Sequence, residues 1–161
     1  MDNIRVGLGY DLHRLESGRP LVLANVPIPH GKGPVGHSDA DVVIHALIDA
    51  ITGAAGMPDV GELFPNTDPG LKDINSARLM EKVMLHLNAT PWHIVNVDIV
   101  VIAQQPRLSP HKLLMRSRLS QLLGMPVDRI NIKAKTNEHV DAVGQELAVA
   151  CHCVALLARQ S

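Results

Sequence analysis

The chain has 161 residues, 46% hydrophobic and 19% charged, which suits one domain with a sizeable core and excludes disorder, collagen and a charge-rich tail. A formal net charge of -1 and an aromatic content of 2% argue against a phosphate-backbone binder and a base-stacking platform, so nucleic acid is not expected as a partner. The start lacks a basic and then apolar leader, and no apolar run approaches the roughly 18 residues of a membrane span, so the chain reads as cytoplasmic with no membrane partner.

Residues 4–13 alternate as a strand, and residues 21–28 supply a second, ended by Pro27 and Pro29; together they suggest an amino-terminal β-ribbon. Residues 38–55 read as a helix capped by Ser38, with Asp41 at the capping-box position and Gly56 and Pro58 as the stop. The Gly/Pro-rich loop over 57–71 is long for a connector, and long loops in compact domains are often functional. A second helix begins near Asn75 and Ser76, with Ala77, Leu79, Met80, Val83, Met84 and Leu87 as its apolar content. The β-branched run 92–103 reads as a central strand buried on both faces. A third helix over 109–123, a strand over 130–135 and a last element over 147–158 complete the chain, the last read as a strand with a helix as the alternative. The expected fold is α+β: a single small domain over 1–161, a mixed sheet with helices on one face, and another subunit covering the other face.

Cys151 and Cys153 flank His152, and on a strand such neighbours point the same way without disulfide geometry, so two buried reduced thiols are expected. The nine histidines are more informative. Asp11 and His13 lie one residue apart and share a face of the first strand. Asp41, His45 and Asp49 follow at four-residue steps on an otherwise apolar helix, framing His45 with acids. Asp11, His13 and His45 would make a two-His, one-carboxylate site with an open position, suited to catalytic Zn²⁺, although non-haem Fe(II) takes the same ligand types. Each histidine could equally be a hydrogen-bonded structural side chain; spatial convergence separates the readings. Gly36-His37-Ser38-Asp39, at the expected helix start, would offer backbone N–H groups to a phosphate. Thr136 and Glu138 share a face beyond the 130–135 strand and could hold a phosphate and its Mg²⁺, or be a plain solvated strand end.

These residues resemble a known family. His37-Ser38-Asp39-Ala40-Asp41-Val42-Val43-Ile44-His45-Ala46-Leu47 is similar to the signature of the 2-C-methyl-D-erythritol 2,4-cyclodiphosphate synthase family. Support comes from Gly9-Tyr10-Asp11-Leu12-His13, from residues 59–65, 102–107 and 133–138, in order over nearly the whole chain, with nothing resembling a fused cytidylyltransferase domain ahead of them. The resemblance implies an enzyme of the non-mevalonate isoprenoid pathway, a phosphorus–oxygen lyase that converts 4-diphosphocytidyl-2-C-methyl-D-erythritol 2-phosphate to the cyclic diphosphate and CMP. It implies Zn²⁺, or another divalent transition metal, on Asp11, His13 and His45, Mg²⁺ or Mn²⁺ at Glu138, and transition-state stabilisation by His37 and Thr136. Substrate contacts are implied at Asp11, Leu12 and His13, at His37 and Ser38, and at Asp59, Val60 and Gly61 for the methylerythritol. The cytidine contacts fall on Ala103, Gln104, Gln105, Pro106, Arg107, Leu108 and Ser109, and on Lys135, Thr136, Asn137 and Glu138, with Ala142 and Gln145 beyond. Asp49 would orient His45, and the assembly would be a homotrimer with active sites between subunits.

The departures gather near the carboxyl terminus. Family members show a glycine–aromatic pair and then Gly-Arg-x-Glu-Gly where this chain has Asp141-Ala142-Val143-Gly144-Gln145-Glu146-Leu147-Ala148. Gln145 and Leu147 replace a cation and an acid that frame an isoprenoid-diphosphate site in the family's trimers, and Asn66 stands where many members have Asp. Two other classes remain open: a metal-dependent nucleotide phosphohydrolase, and a trimeric binding module without turnover. The three zinc-ligand positions are all retained, which favours catalysis.

Overall fold

The computed structural model describes residues 3–65, 67–71 and 74–160. In chain order the elements are β1 (Ile4–Ser17), β2 (Leu21–Leu23), β3 (Val26–Ile28), β4 (Lys32–Pro34), α1 (Val42–Ala55), α2 (Val60–Leu63), α3 (Ser76–Asn88), β5 (Trp92–Ile102), α4 (Lys112–Leu123), β6 (Ile130–Lys135), α5 (Asp141–Gly144) and β7 (Ala148–Arg159), with short 3₁₀ turns at Pro69–Leu71, Ser109–His111 and Val127–Arg129. The large sheet has the order β4-β1-β7-β5-β6. Its pairings are antiparallel except β5 with β6, so the sheet is mixed and the domain is a small α+β unit.

The expected amino-terminal ribbon does not form. Residues 21–28 instead fold back on themselves as the two-stranded β2–β3 sheet. The turn between them, Ala24 and Asn25, has φ of 54° and 58°, the left-handed pair that suits a tight hairpin. β1 pairs with the carboxyl-terminal β7 from Ile4 to Arg14 and with β4 from Leu15 to Ser17. The last element is therefore a strand, and it is the middle one of the five. β5 is also corrected: its residues alternate between buried and half-exposed, because helices cover one face only.

α1 lies across β1 and β7, while α3 and α4 pack beside it over β5 and β6. The core between these layers holds Ile44, Leu47, Ile48, Ile51, Met80, Leu87, Ile99, Met115, Leu119 and Leu157, all nearly inaccessible. On the opposite face, one-turn α5 places Val143 over Ala148, Ala150 and half-buried Ile102. Among the described residues, the rest of that face is open. β1 turns Ile4, Val6, Leu8, Tyr10 and Leu12 outward, and β7 adds Val154, at 42–68% exposure. Cys151 and Cys153 are free and buried on the helix side, as their alternation requires.

Candidate metal centre and adjoining pockets

The inward residues of β1 run Gly7, Gly9, Asp11, His13, and α1 lies directly over them. A Cβ at Gly7 would sit 1.9 Å from the Ala50 carbonyl oxygen, and one at Gly9 would sit 1.8 Å from that of Ala46. With Ala46, Ala50 and Ala54 lining the helix side, backbone approaches backbone, and His45, next to Ala46, is carried onto Asp11. The start of α1 is fixed by Asp41 and not by Ser38. The buried Asp41 carboxylate accepts from Val43 N and Ile44 N, at 3.1 and 3.2 Å, and also from Ala24 N and Asn25 N of the hairpin, at 3.0 and 2.7 Å. Asp41 is thus a cap and a hairpin anchor and does not frame His45, and its own carboxylate takes the helix N–H groups expected to hold a phosphate.

Asp11, His13 and His45 each turn one ligand atom into a common space, all within 4.8 Å of one another. His13 Nδ1 lies 2.8 Å from the Val35 carbonyl oxygen, which only accepts, so this nitrogen carries a proton. In the neutral ring Nε2 then turns a lone pair toward Asp11 Oδ2 at 3.1 Å, and this buried atom makes no hydrogen bond. His45 Nδ1 meets the same oxygen at 3.0 Å. A metal ion shared among these atoms would satisfy both ring nitrogens and the carboxylate oxygen at once, and the donor set fits Zn²⁺ or another divalent transition metal. Burial works to raise the Asp11 carboxyl, yet the imidazoles of His13 and His45 outweigh it and hold it at about 2. Burial works to lower His13, and the Asp11 carboxylate with the Val35 carbonyl keeps it raised. Asp11 therefore stands ready as an anion.

The triad opens into a pocket of about 240 Å³ lined also by Gly36, His37, Ser38, Val60, Gly61 and Phe64. His37 is half-buried, with Nε2 3.4 Å from the Asp68 carbonyl oxygen. The Asp59 side chain caps α2 by accepting from Glu62 N at 2.9 Å. Asp49 Oδ1 accepts from Val60 N at 2.8 Å, so this acid holds the α2 segment against the site and makes no hydrogen bond to His45. A second pocket, about 460 Å³, is lined by Ala103, Gln104, Gln105, Pro106, Arg107, Leu108 and Ser109 together with Ala134, Lys135 and Thr136. Just past it, Thr136 Oγ1 donates to Glu138 Oε1 at 2.7 Å. Asp11, Cys151, Val101 and Ala134 form one row across β1, β7, β5 and β6, so within one chain the two pockets stand three strand spacings apart, roughly 14 Å.

Comparison with known proteins decides the family. The sequence model of the YgbB family matches residues 4–158. The chain belongs to the YgbB family. It is 47% identical over 161 residues to the 2-C-methyl-D-erythritol 2,4-cyclodiphosphate synthase of Acaryochloris marina, covering all of both chains. It is 45% identical to the synthase of Syntrophomonas wolfei, over 96% of this chain and 98% of that one. Among solved structures, the bifunctional IspDF of Campylobacter jejuni superposes with a TM-score of 0.93 at 38% identity, over 97% of this chain and 42% of that chain. IspF of Plasmodium falciparum in its CDP complex superposes at 0.88 and 32% identity, over 100% and 99%.

This YgbB-family structure brings together most of the residues singled out from the sequence, but in two groups. The triad gathers with His37, Ser38, Val60 and Gly61; the 103–109 segment gathers with Lys135 and Thr136. Several lie elsewhere. The Leu12 side chain points out of the open sheet face, away from the triad. Asn137 turns its amide to Asp141 Oδ2 at 2.7 Å and to the Val140 carbonyl oxygen at 3.2 Å. Ala142, Gln145 and Leu147 are exposed on and after α5 and line neither pocket. Asn66 lies outside the described residues. The sequence reading missed Ser76 and the role of Asp39. Ser76 Oγ lies 3.0 Å from His45 Nε2 and donates to Asp39 Oδ1, with Ser38 Oγ 3.2 Å from the same ring nitrogen.

Proposed function

We propose that this YgbB-family chain is a 2-C-methyl-D-erythritol 2,4-cyclodiphosphate synthase acting on 4-diphosphocytidyl-2-C-methyl-D-erythritol 2-phosphate in the cytoplasm, as a single domain over 1–161. The observation that carries the reading is the convergence of Asp11, His13 and His45 on one point, in a chain 44–47% identical to proteins bearing that name. A 2-phosphate oxygen attacks the β-phosphorus; the bond from that phosphorus to the bridging oxygen breaks, and its electron pair leaves with CMP. Nucleophile and leaving group are both phosphate anions, so the chain needs no general base and works by positioning and by stabilising charge. Bound Zn²⁺ on the triad, with Mg²⁺ or Mn²⁺ at Glu138, would polarise the diphosphate and offset its developing charge.

The remaining steps fall to side chains. Val60 and Gly61, tied by Asp49, would seat the methylerythritol beside His37 and Ser38, with Asp59 at the start of that segment. His37 and the Thr136 hydroxyl would donate to phosphate oxygens in the transition state. The 103–109 pocket with Lys135 suits the cytidine and its first phosphate. The separation of the two pockets within one chain favours a site completed by a neighbour, and the apolar half of the open sheet face favours a homotrimer closed around it. Metal removal provides a test: CMP release should stop on chelation, return with Zn²⁺, and fail to return in His45→Ala. Full turnover by demonstrably zinc-free His45→Ala protein would sink the reading.

A further inference from the structure

We infer that Ser76 and Asp39 form a positioning relay that sets the tautomer and orientation of the His45 ring for metal binding, an inference that rests on the metal centre proposed above. The Ser76 end of the chain fixes one sense of donation. An Asp39 carboxylate has no proton to give, and it receives two from Ser76: the backbone N–H at Oδ2, 3.1 Å, and the hydroxyl at Oδ1. Ser76 Oγ, its own proton so directed, presents only lone pairs to His45 Nε2 at 3.0 Å. With the Ser38 hydroxyl turned to Ser76 Oγ at 3.4 Å, both serine oxygens present lone pairs to Nε2, which then donates and leaves Nδ1 as the bare nitrogen turned to Asp11 and the common ligand space. Ser76 is fully buried and sits in the first turn of α3, whose cap is Asn75, so the hydroxyl is held by a rigid element. Metal-bound imidazoles depend on such outer partners for tautomer and ring orientation.

Asp39→Asn tests the sense of the relay without changing the shape of the side chain. The amide oxygen would keep the Ser76 N–H, and the amide nitrogen would then donate to Ser76 Oγ, turning the serine proton toward Nε2 and opposing the metal-binding form. Ser76→Ala removes the relay, with Ser38 Oγ as the nearest substitute acceptor. Two readouts suffice on the full-length chain: the zinc dissociation constant from competition with a chromogenic chelator, and the exchange rate of the His45 Nε2 proton seen by ¹H–¹⁵N NMR in the zinc-loaded protein. Asp39→Asn and Ser76→Ala should each weaken zinc about 10- to 100-fold and bring the Nε2 proton into rapid exchange with water. A role in packing alone would lower the melting temperature and leave both readouts in place. If Ser76→Ala does not fold, Asp39→Asn decides alone. Variants that bind zinc within twofold of the parent and keep a protected Nε2 proton overturn the relay only. A parent that binds no zinc overturns the metal reading and the relay together.

Discussion

His13 and His45 bring nitrogens to a single oxygen of Asp11, a crowding that a metal ion shared by the three would relieve. Beneath it, Cys151 and Cys153 are different in kind: burial raises both thiols, Cys153 to about 12, so little thiolate exists at neutral pH. A thiol reagent at pH 8 should therefore label neither in the native protein and both after denaturation; prompt native labelling would contradict their placement. Glu138, joined to Thr136 and remote from the triad, should affect a different ion. Glu138→Gln should shift the Mg²⁺ titration of activity to higher concentration and leave zinc content unchanged, read by metal analysis. At this scale the triad was legible because a spacing of two on a strand is a geometric statement and the acid-flanked His45 stood out on an apolar helix. Asp41 shared that period but caps α1 and anchors the hairpin, since period cannot tell a carboxylate that caps a helix from one that flanks a ligand. Ser76 carried no signal, because its partners lie 31 and 37 positions away.

The seam between β1 and α1 does most to build the site. Gly9→Ala would drive a methyl group into the Ala46 carbonyl, and the helix must move to relieve it. That substitution should cost about 1–3 kcal/mol or more, read by urea denaturation, and should weaken zinc binding as His45 shifts. Asp41→Ala leaves N–H groups of both α1 and the hairpin without their acceptor, so its cost should exceed the ~0.5–2 kcal/mol of an ordinary cap. The three long helices and the 130–135 and carboxyl-terminal strands were readable from periodicity and stop signals, whereas one-turn α2 fell inside the segment read as a loop and α5 gave no signal. The hairpin was not: Pro27 and Pro29 marked an end, but the turn is made by Ala24 and Asn25 at positive φ, a conformation Ala rarely signals. Nor does a β-branched run reveal which face stays open.

For the whole molecule, the open sheet face and the two separated pockets point to one arrangement. Ile4, Val6, Leu8, Tyr10 and Leu12 form an exposed apolar row, while farther along the same face Lys133 and Asn131 donate to the Asp98 carboxylate. An apolar stripe bounded by a polar margin suits a second copy better than water. If the proposed trimer closes on this face, Leu8→Asp should shift the sedimenting species toward monomer and abolish turnover, while zinc content is retained because the triad belongs to one chain. An active monomer would contradict the shared site. Whether copies complete each other was beyond sequence patterning, because residues that meet across a subunit boundary share no period.

The most direct test of the proposed reaction is phosphorus NMR of the purified protein with the cytidine diphosphate substrate, Zn²⁺ and Mg²⁺, beside a chelated control. The account predicts two mutually coupled resonances of a cyclic diphosphate, growing in step with CMP and absent from the control. Free phosphate or an uncyclised monophosphate would show water as the nucleophile, and intact substrate over an occupied metal site would show a binding protein; either result would contradict it.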